Sequence, residues 1–510
     1  MAIEIELKLA LAPQDLPRLQ RHPLWRSARR TPAQRLYSVY YDTPDLELWR
    51  AGLTLRLRRG GDRCLQTVKG GGSLSAGLHR RQEFEAVVAG PLPDLTAING
   101  TEVASHFASP QLRAQLKPVM VTDFVRKRAY LEPAPGTRIE ASLDSGFIKS
   151  GDATEAVSEV ELEMKSGEPW RAYQLALALV QGVALLIENR SKAERGIALR
   201  ERATPQPVKA VPSPVNRSLS SQDAFIALVG ACIEQFVANQ RGMIKGRDPE
   251  YLHQMRVALR RLRSVFATFA PLFPAPTLVM PIGETRWLAQ ALGAARDWDV
   301  FTTETLPPIA ALYPTHEGVA AVTSAAIRLR RAANRKARAA VVSSRGQGFL
   351  LSLAGWLAAR TWLYEMDEAQ TQALNAPVDE FARAVLEAAH ARVMKRGRGF
   401  GKLAPERLHR LRIAVKKLRY AVEFFGPLYD AAQLGAYRAL LVDIQDQLGR
   451  FNDARVVAAL AARASQAVRG SRGAEARGIM LGWSSGAQQF GMRDLERIWK
   501  RFRQCQRFWQ

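Results

Sequence analysis

The stretch Ile3-Glu4-Ile5-Glu6-Leu7-Lys8-Leu9 alternates strictly between apolar and charged residues. A β-strand turns successive side chains to opposite faces, so Glu4, Glu6 and Lys8 share one face and the four apolar residues the other. On its own such a segment is an ordinary half-buried strand. The alternation returns down the chain, however. Arg56 and Arg58 interleave with Leu55 and Leu57, Arg81 shares a face with Glu83 and Glu85, and Arg126 with Arg128. Glu159, Glu161, Glu163 and Lys165 then alternate with Val160, Leu162 and Met164. From Ile3 to about Lys165, Gly, Pro and Asp punctuate these runs, which predicts short antiparallel strands, each with an ionic and an apolar face.

Closing such a sheet with its apolar side outward under helices would line a tunnel with carboxylates and cations, the inverse of the usual small-barrel interior. Burying that much charge is costly unless a charged ligand and metal ions complete it. Clustered carboxylates suit hard cations such as Mg²⁺ or Mn²⁺. The Arg and Lys residues suit an oligophosphate. The run Gly70-Gly71-Gly72 after Lys69 reads as a hairpin turn rather than a phosphate loop. No GxSxG, HExxH or GxxxxGK[ST] occurs in this part of the chain.

After Glu168 the periodicity becomes helical. Residues 203–221, with Pro205, Pro207, Pro212 and Pro214, read as a semi-rigid linker, because prolines at that density prevent regular helix or sheet. The expected division is therefore 1–202, the linker 203–221, and an Ala-, Leu- and Arg-rich helical part, 222–510. That part repeats itself. His253, Arg256, Arg260, Arg261 and Arg263 recur 156 residues later as His409, Arg412, Lys416, Lys417 and Arg419. The same offset carries Pro249 to Pro405, Leu292-Gly293 to Leu448-Gly449 and Arg296-Asp297 to Asn452-Asp453. A spacing this long indicates a duplicated unit of several helices, about 222–377 and 378–510, forming two bundles about a pseudo-twofold axis. Asp299 becomes Arg455, so the two copies are not equivalent.

The spacing 3, 4, 3 places His253, Arg256, Arg260 and Arg263 in one stripe along a helix, with a matching stripe at His409, Arg412, Lys416 and Arg419. Arg261 and Lys417 flank the stripes. The chain carries a net charge of +25, of which +19 falls after residue 216, so the helical part is the one that faces a polyanion. Between the cations stand mainly Leu, Val, Ile and Ala, not the aromatic or amide side chains that read or stack on bases, so phosphate without bases fits better than nucleic acid.

Three scattered cysteines, Cys64, Cys232 and Cys505, argue against a disulfide framework or structural zinc and for a reducing compartment. The opening stretch carries charges inside its apolar run, and the apolar stretches elsewhere are interrupted by charge. No signal peptide or membrane span is expected, and the expected location is the cytoplasm.

Residues 1 to about 200 resemble the CYTH superfamily, the triphosphate tunnel metalloenzymes. The resemblance rests on the opening Glu-x-Glu-x-Lys (Glu4, Glu6, Lys8), followed in order by Tyr41-Asp42-Thr43, Leu55-Arg56-Leu57-Arg58, Thr67-Val68-Lys69-Gly70 and Arg81-x-Glu83-x-Glu85. Asp144-x-Gly146, Glu159-x-Glu161-x-Glu163 and Ser191-Lys192-Ala193-Glu194-Arg195-Gly196 complete it. It implies an α+β protein whose N-terminal part is an eight-stranded antiparallel β tunnel, or barrel, with flanking helices, ahead of the all-α duplicated bundle. It also implies hydrolysis of a triphosphate with divalent metal. On the matching positions, Glu4, Glu6, Glu159, Glu161 and Glu163 would hold one or two Mg²⁺ or Mn²⁺ ions, with Glu4, Glu6, Lys8 and Glu161 at the catalytic centre. Lys8, Arg56, Arg58, Lys69, Arg81, Lys192 and Arg195 would clamp phosphate oxygens, together with Arg126 or Arg128, which project the same way. Such a site aligns a substrate of about four or five negative charges for attack by metal-activated water, with no protein nucleophile.

The helical part resembles the CHAD family through His-x-x-Arg-x-x-x-[Arg/Lys]-[Arg/Lys]-x-Arg, met in both repeats, and through Leu-Gly followed by the [Arg/Asn]-Asp pair. That resemblance implies binding of inorganic polyphosphate through the two stripes, weakening steeply with salt as counterions return. The two histidines serve either as ligands or as packing residues. The order of the two parts resembles bacterial inorganic triphosphatases, which makes inorganic triphosphate the expected substrate. The same tunnel also serves adenylate cyclases and thiamine or nucleoside triphosphatases, and a polyphosphate-binding module with little catalysis is the reading of a different class.

Overall fold

The computed structural model describes residues 2–60, 63–246, 248–468, 470–489 and 492–510, with the side chains of residues 2, 60, 63, 405, 450–454, 485–489, 492 and 493 outside the description. Two compact units emerge: Met1–Gln206 with Val342–Arg360, and Pro207–Val341 with Thr361–Gln510.

In the first unit the alternating stretches form β1 (Ala2–Leu11), β2 (Arg29–Arg30), β3 (Gln34–Asp42), β4 (Leu53–Gly60) and β5 (Arg63–Ser75). They continue as β6 (Leu78–Val88), β7 (Lys117–Ala134), β8 (Thr137–Ser150), β9 (Ala153–Ser166) and β10 (Leu185–Ile187). The sheet is antiparallel and runs β1-β6-β5-β4-β3-β7-β8-β9, and β9 pairs back to β1 from Glu6↔Glu163 to Ala10↔Glu159. Of the ten strands, β2 hangs on β7 and β10 on β1, leaving eight in the ring.

Register decides which residues meet, because a slip of one residue would turn every side chain to the other face. Here Glu4 lies opposite Arg81, Lys8 opposite Glu161, Arg126 opposite Asp144, and Asp144 opposite Glu159, so the ionic faces gather on one side of the ring. The other side is apolar and covered: Leu7, Leu9, Leu55, Val160 and Leu162 are buried. On the ionic side, Met120, Ile148 and Val157 fall on the same face as Arg126, Asp144 and Glu159 and pack against Ala193 and Ile197 of the Lys192–Arg200 helix, which therefore seats against the inner face of these strands. Each fully buried aliphatic side chain contributes about 1.5–3 kcal/mol, which offsets the cost of an ionic interior.

The glycine run differs from its expected hairpin. Register between β5 and β6 shifts between Gly70 and Ser73, so these glycines form a bulge, and the turn falls at Ala76 and Gly77. The Pro-rich segment also differs from a spacer. It has no regular structure, yet the amide of Asn239 brackets Val208 through both its N–H and its carbonyl, Ser213 Oγ donates to the Phe424 carbonyl at 2.6 Å, and Val215 is buried. It is a strap fastened within the second unit.

The helix Ser344–Ala359 lies inside the helical part of the sequence but packs in the first unit, against the Trp170–Val180 helix and β10. Its Gln347 side chain accepts the backbone N–H of Ile187 at 3.2 Å, and Gln347 is 1% exposed.

In the second unit the helices Pro249–Phe269 and Pro405–Phe425 begin and end at positions 156 residues apart and pack on each other. The apolar clusters draw on both repeats. Trp298, Phe301, Val319 and Val322 share a core with Ala461, Ala464, Ala476 and Met480. Phe269 sits 4.9 Å from Phe381 and 6.0 Å from Phe425, ring centroid to centroid. Neither repeat closes its own core. No described helix is long and apolar enough to cross a membrane.

Candidate functional site

Inside the ring, Asp144, Glu159 and Glu161 bring carboxylate oxygens within 4.8 Å of one another, all three residues buried. Cations hold them. Lys192 Nζ lies 2.7 Å from Asp144 Oδ2 and 2.9 Å from Glu161 Oε1 and also pairs with Glu159. Arg126 forks onto Asp144 at 2.7 and 2.6 Å and reaches Glu161 at 2.5 Å. Lys8 Nζ bridges Glu6 and Glu161 at 2.8 Å each. Burial alone would raise the carboxyls, but Lys8 outweighs it and brings Glu6 to about 2, and Lys192, Lys8 and Arg126 hold Glu161 well below the usual range.

The Lys192–Arg200 helix explains its own motif. Ser191 caps it by accepting the N–H of Glu194 at 3.1 Å. Lys192 and Arg195 reach the carboxylates, Arg195 through Glu159 at 2.8 Å and Glu155 at 3.0 Å. Gly196 lies where a Cβ would come within 2.2 Å of Met120 Sδ, so a larger residue there would require the Met120 side chain to move aside.

Further round the ring the balance shifts to cations. Lys69 pairs with Glu4 and lies 3.2 Å from Glu83; Arg56 lies 3.8 Å from Glu83 and 3.9 Å from Glu85. Among the described residues Arg58 donates only to Ser38 Oγ, at 3.3 Å. Burial, then the neighbouring Arg56 and Arg126, pushes Arg58 down to about 9. Tyr40 sits beside it, and although burial opposes ionisation, Arg56 and Arg58 hold its phenol below the ordinary value. His79 faces the same interior opposite Glu6, and burial followed by Lys8 pushes it down to about 3.

In the second unit the two basic stripes converge. Lys416 is pushed down to about 8 by burial and then by Arg260, Arg412, Arg263 and Arg419, cations drawn from both stripe helices. Arg256 lies across the Val279–Val300 helix, with Nη1 3.5 Å from the Leu292 carbonyl and 3.7 Å from Asp297. A Cβ on Gly293 would come within 3.1 Å of that guanidinium, whereas one on Gly449, its counterpart in the second repeat, would meet nothing within 4 Å.

Residues 2–197 match the CYTH domain and residues 227–462 the CHAD domain. The chain is a CYTH domain followed by a CHAD domain. An inorganic triphosphatase of Haemophilus influenzae is 30% identical over 200 residues, 39% of this chain and 55% of that relative, so the match spans little more than half the relative's length. An uncharacterized Mycobacterium tuberculosis protein is 26% identical over 442 residues, 82% of this chain and 81% of its own. The crystal structure of the CHAD domain from the plant Ricinus communis is similar over 60% of this chain and 99% of its own, at 31% identity and a TM-score of 0.52.

Within the CYTH domain, Glu4, Glu6, Lys8, Arg56, Arg58, Lys69, Arg126, Glu159, Glu161, Lys192 and Arg195 share the ring interior. Arg126 meets the acid cluster, whereas Arg128 lies further along β7 on Glu140 at 3.1 Å and Gln34 at 2.9 Å. Glu163 lies opposite Glu6 but pairs with Lys165 at 2.5 Å, apart from the three-carboxylate cluster. Arg81 lies opposite Glu4 and is half-buried. Asp144 was legible only as part of a motif; its place at the centre of the cluster comes from its register with Arg126 and Glu159. Tyr40 and His79 carried no sequence signal beyond falling on an inward position.

Within the CHAD domain, His253, Arg256 and Arg260 are half-buried, Arg263 is exposed, and burial followed by Arg296 lowers His253. Arg412, Lys416 and Arg419 are half-buried; His409 and Lys417 are exposed. Arg261 departs from the stripe: it is 1% exposed, with Nε 2.8 Å from Glu423 and Nη1 3.3 Å from Gln235. One residue off the 3-4-3 spacing is 100° round a helix, which turns Arg261 into the core. The side chains of Asn452 and Asp453 lie outside the described residues.

Proposed function

We propose that the CYTH domain hydrolyses inorganic triphosphate to diphosphate and phosphate with a divalent metal, and that the CHAD domain binds inorganic polyphosphate. The observation that carries the first part is a closed ring whose interior sets the carboxylates Asp144, Glu159 and Glu161 beside Arg58, a half-buried cation with no carboxylate ion pair among the described residues. An oligophosphate with its counter-cations is the ligand that such a mixture fits.

Carboxylate oxygens suit Mg²⁺ or Mn²⁺, one ion or two, with Glu159 and Glu161 of the buried cluster and Glu4 and Glu6 of β1 as the holding residues and Asp144 beside them. When bound, the metal supplies charge neutralisation and lowers the pKa of a coordinated water. The chain's own groups do the rest. Arg56, Arg58 and Lys69 draw the phosphate oxygens to one wall, and Lys8, Arg126 and Lys192 exchange carboxylate partners for phosphate oxygens as the anion enters. Because Lys8, Lys192 and Arg195 are already buried, little solvent reorganisation around them remains at the moment of transfer. Arg81 and Arg128 stand nearer the ends and suit the outer phosphates.

For the CHAD domain, the convergence of Arg260, Arg263, Arg412, Lys416 and Arg419 supports a linear polyanion lying along both stripe helices.

The test is phosphate release from inorganic triphosphate, ATP and thiamine triphosphate at equal concentration, with Mg²⁺ and with EDTA, beside Glu4→Ala/Glu6→Ala protein. Metal-dependent release from triphosphate well above the other two supports the reading. Preference for an organic triphosphate moves the substrate, and no release from any of them leaves the chain a polyphosphate-binding protein.

A further inference from the structure

His79 belongs to none of the motifs above, yet it is the most conspicuous unspent group in the ring. It is 1% exposed, and among the described residues neither Nδ1 nor Nε2 has a hydrogen-bond partner. Buried polar atoms are nearly always partnered, so a pair of orphaned nitrogens on one ring points to something that arrives from outside the chain. The register places His79 directly opposite Glu6 on the paired strands β1 and β6, two residues before Arg81 and on the same face. Directly opposed residues hold their Cβ atoms about 5 Å apart, a spacing that lets one ion take a carboxylate oxygen and an imidazole nitrogen together.

We propose that His79 is a nitrogen ligand to the divalent cation held by Glu6, which biases this ring away from Mg²⁺ toward a first-row transition ion such as Mn²⁺ or Co²⁺. The inference rests on the metal-dependent reading above. A neutral imidazole has one N–H and one lone pair. A phosphate oxygen would satisfy the N–H alone, and the adjacent Lys8 and Arg81 already offer cationic donors to phosphate. A metal cation takes the lone pair, which a phosphate oxygen cannot. Lys8 Nζ, now 2.8 Å from Glu6 Oε1, is the charge that the ion would replace there. Imidazole donors favour transition ions, whereas sites of carboxylate and water alone accommodate Mg²⁺.

The experiment is pulsed EPR of the full-length protein loaded with Mn²⁺, without substrate. Imidazole ¹⁴N modulation is expected in the natural protein and in a His22→Gln control, and is expected to vanish in His79→Gln. In the same variant Mn²⁺ affinity should fall on the order of tenfold or more while Mg²⁺ affinity changes less than about threefold. Bound Mn²⁺ without nitrogen coupling in the natural protein overturns the role of His79 and leaves the metal reading standing. Mn²⁺ that fails to bind, or binds equally to Glu4→Ala/Glu6→Ala protein, overturns both. If His79→Gln does not fold, His79→Asn takes its place, and nitrogen coupling that persists in a folded His79 variant overturns the proposal.

Discussion

Lys192 Nζ lies 2.7 Å from Asp144 Oδ2, with Asp144 fully buried and Lys192 8% exposed. The ammonium sits where three carboxylates converge, so it occupies the place that a cation ligand would contest. Burial opposes its charge, but Asp144, Glu159 and Glu161 hold it protonated above the ordinary lysine value. Replacing it with methionine leaves three buried carboxylates short of a cation, at a cost of about 3–5 kcal/mol. The melting temperature of Lys192→Met should drop by several degrees, and added Mg²⁺ should recover more stability in the variant than in the natural protein. Calorimetry with and without Mg²⁺ checks both.

Arg58→Ala should behave in the opposite way. Its guanidinium is lowered to about 9, from an unfolded value of 12.5, by burial and two neighbouring arginines. At pH 7 that charge is present in both states and costs the folded one stability. The variant is expected to be no less stable than the natural protein at pH 7, while its KM for triphosphate rises on the order of tenfold or more, a loss of about 1.4 kcal/mol or more. Thermal melts beside steady-state kinetics separate the two effects.

Glu6 sets an acid limit. Its carboxyl falls from 4.5 to about 2 because Lys8 outweighs burial, so its stabilisation is complete above about pH 4.5 and is lost as pH falls toward 2. The amount is about 3 kcal/mol. Glu4 and Glu163 are raised, chiefly by burial, and shift the balance the other way as they protonate. In denaturant titrations from pH 6 to pH 2, Glu6→Gln should show a shallower loss of stability than the natural protein.

Lys416 predicts a base limit for polyanion binding. With the free protein's ammonium at about 8, against 10.5 unfolded, polyphosphate affinity should decline between pH 7 and 9 as that cation is lost. Free-protein stability moves oppositely, rising across the window between the two values. Lys416→Gln should flatten the affinity profile, measured by fluorescence anisotropy at fixed salt, with a decline of about tenfold in the natural protein.

The Ser344–Ala359 helix bears on any attempt to isolate the CYTH domain. Residues 1–206 alone would expose the face of the Trp170–Val180 helix that it covers and leave the Ile187 N–H without its Gln347 acceptor, at about 1–3 kcal/mol for the N–H alone. The fragment is expected to aggregate or to melt well below the full chain, and fusing residues 342–360 to it should restore solubility. Far-UV circular dichroism and sedimentation of the two fragments compare them.

Sequence determined the ring's composition and not its connections. Alternation at Glu4, Glu6 and Lys8, and again at Arg56, Arg58, Glu159 and Glu161, fixes which side chains share a face, because that depends only on the strand period. The 156-residue repeat likewise fixed the two stripe helices to the residue, since both stripes obey one helical spacing. Which carboxylate meets which cation depends on register between strands distant in the chain. Only the tertiary structure could place Asp144 under Lys192, His79 opposite Glu6, and Arg261 on Glu423 in the core. The same holds for Ser344–Ala359. Its sequence is helical wherever it lies, and the unit it joins is decided by which apolar surface, here Tyr173 and its neighbours, remains to be covered.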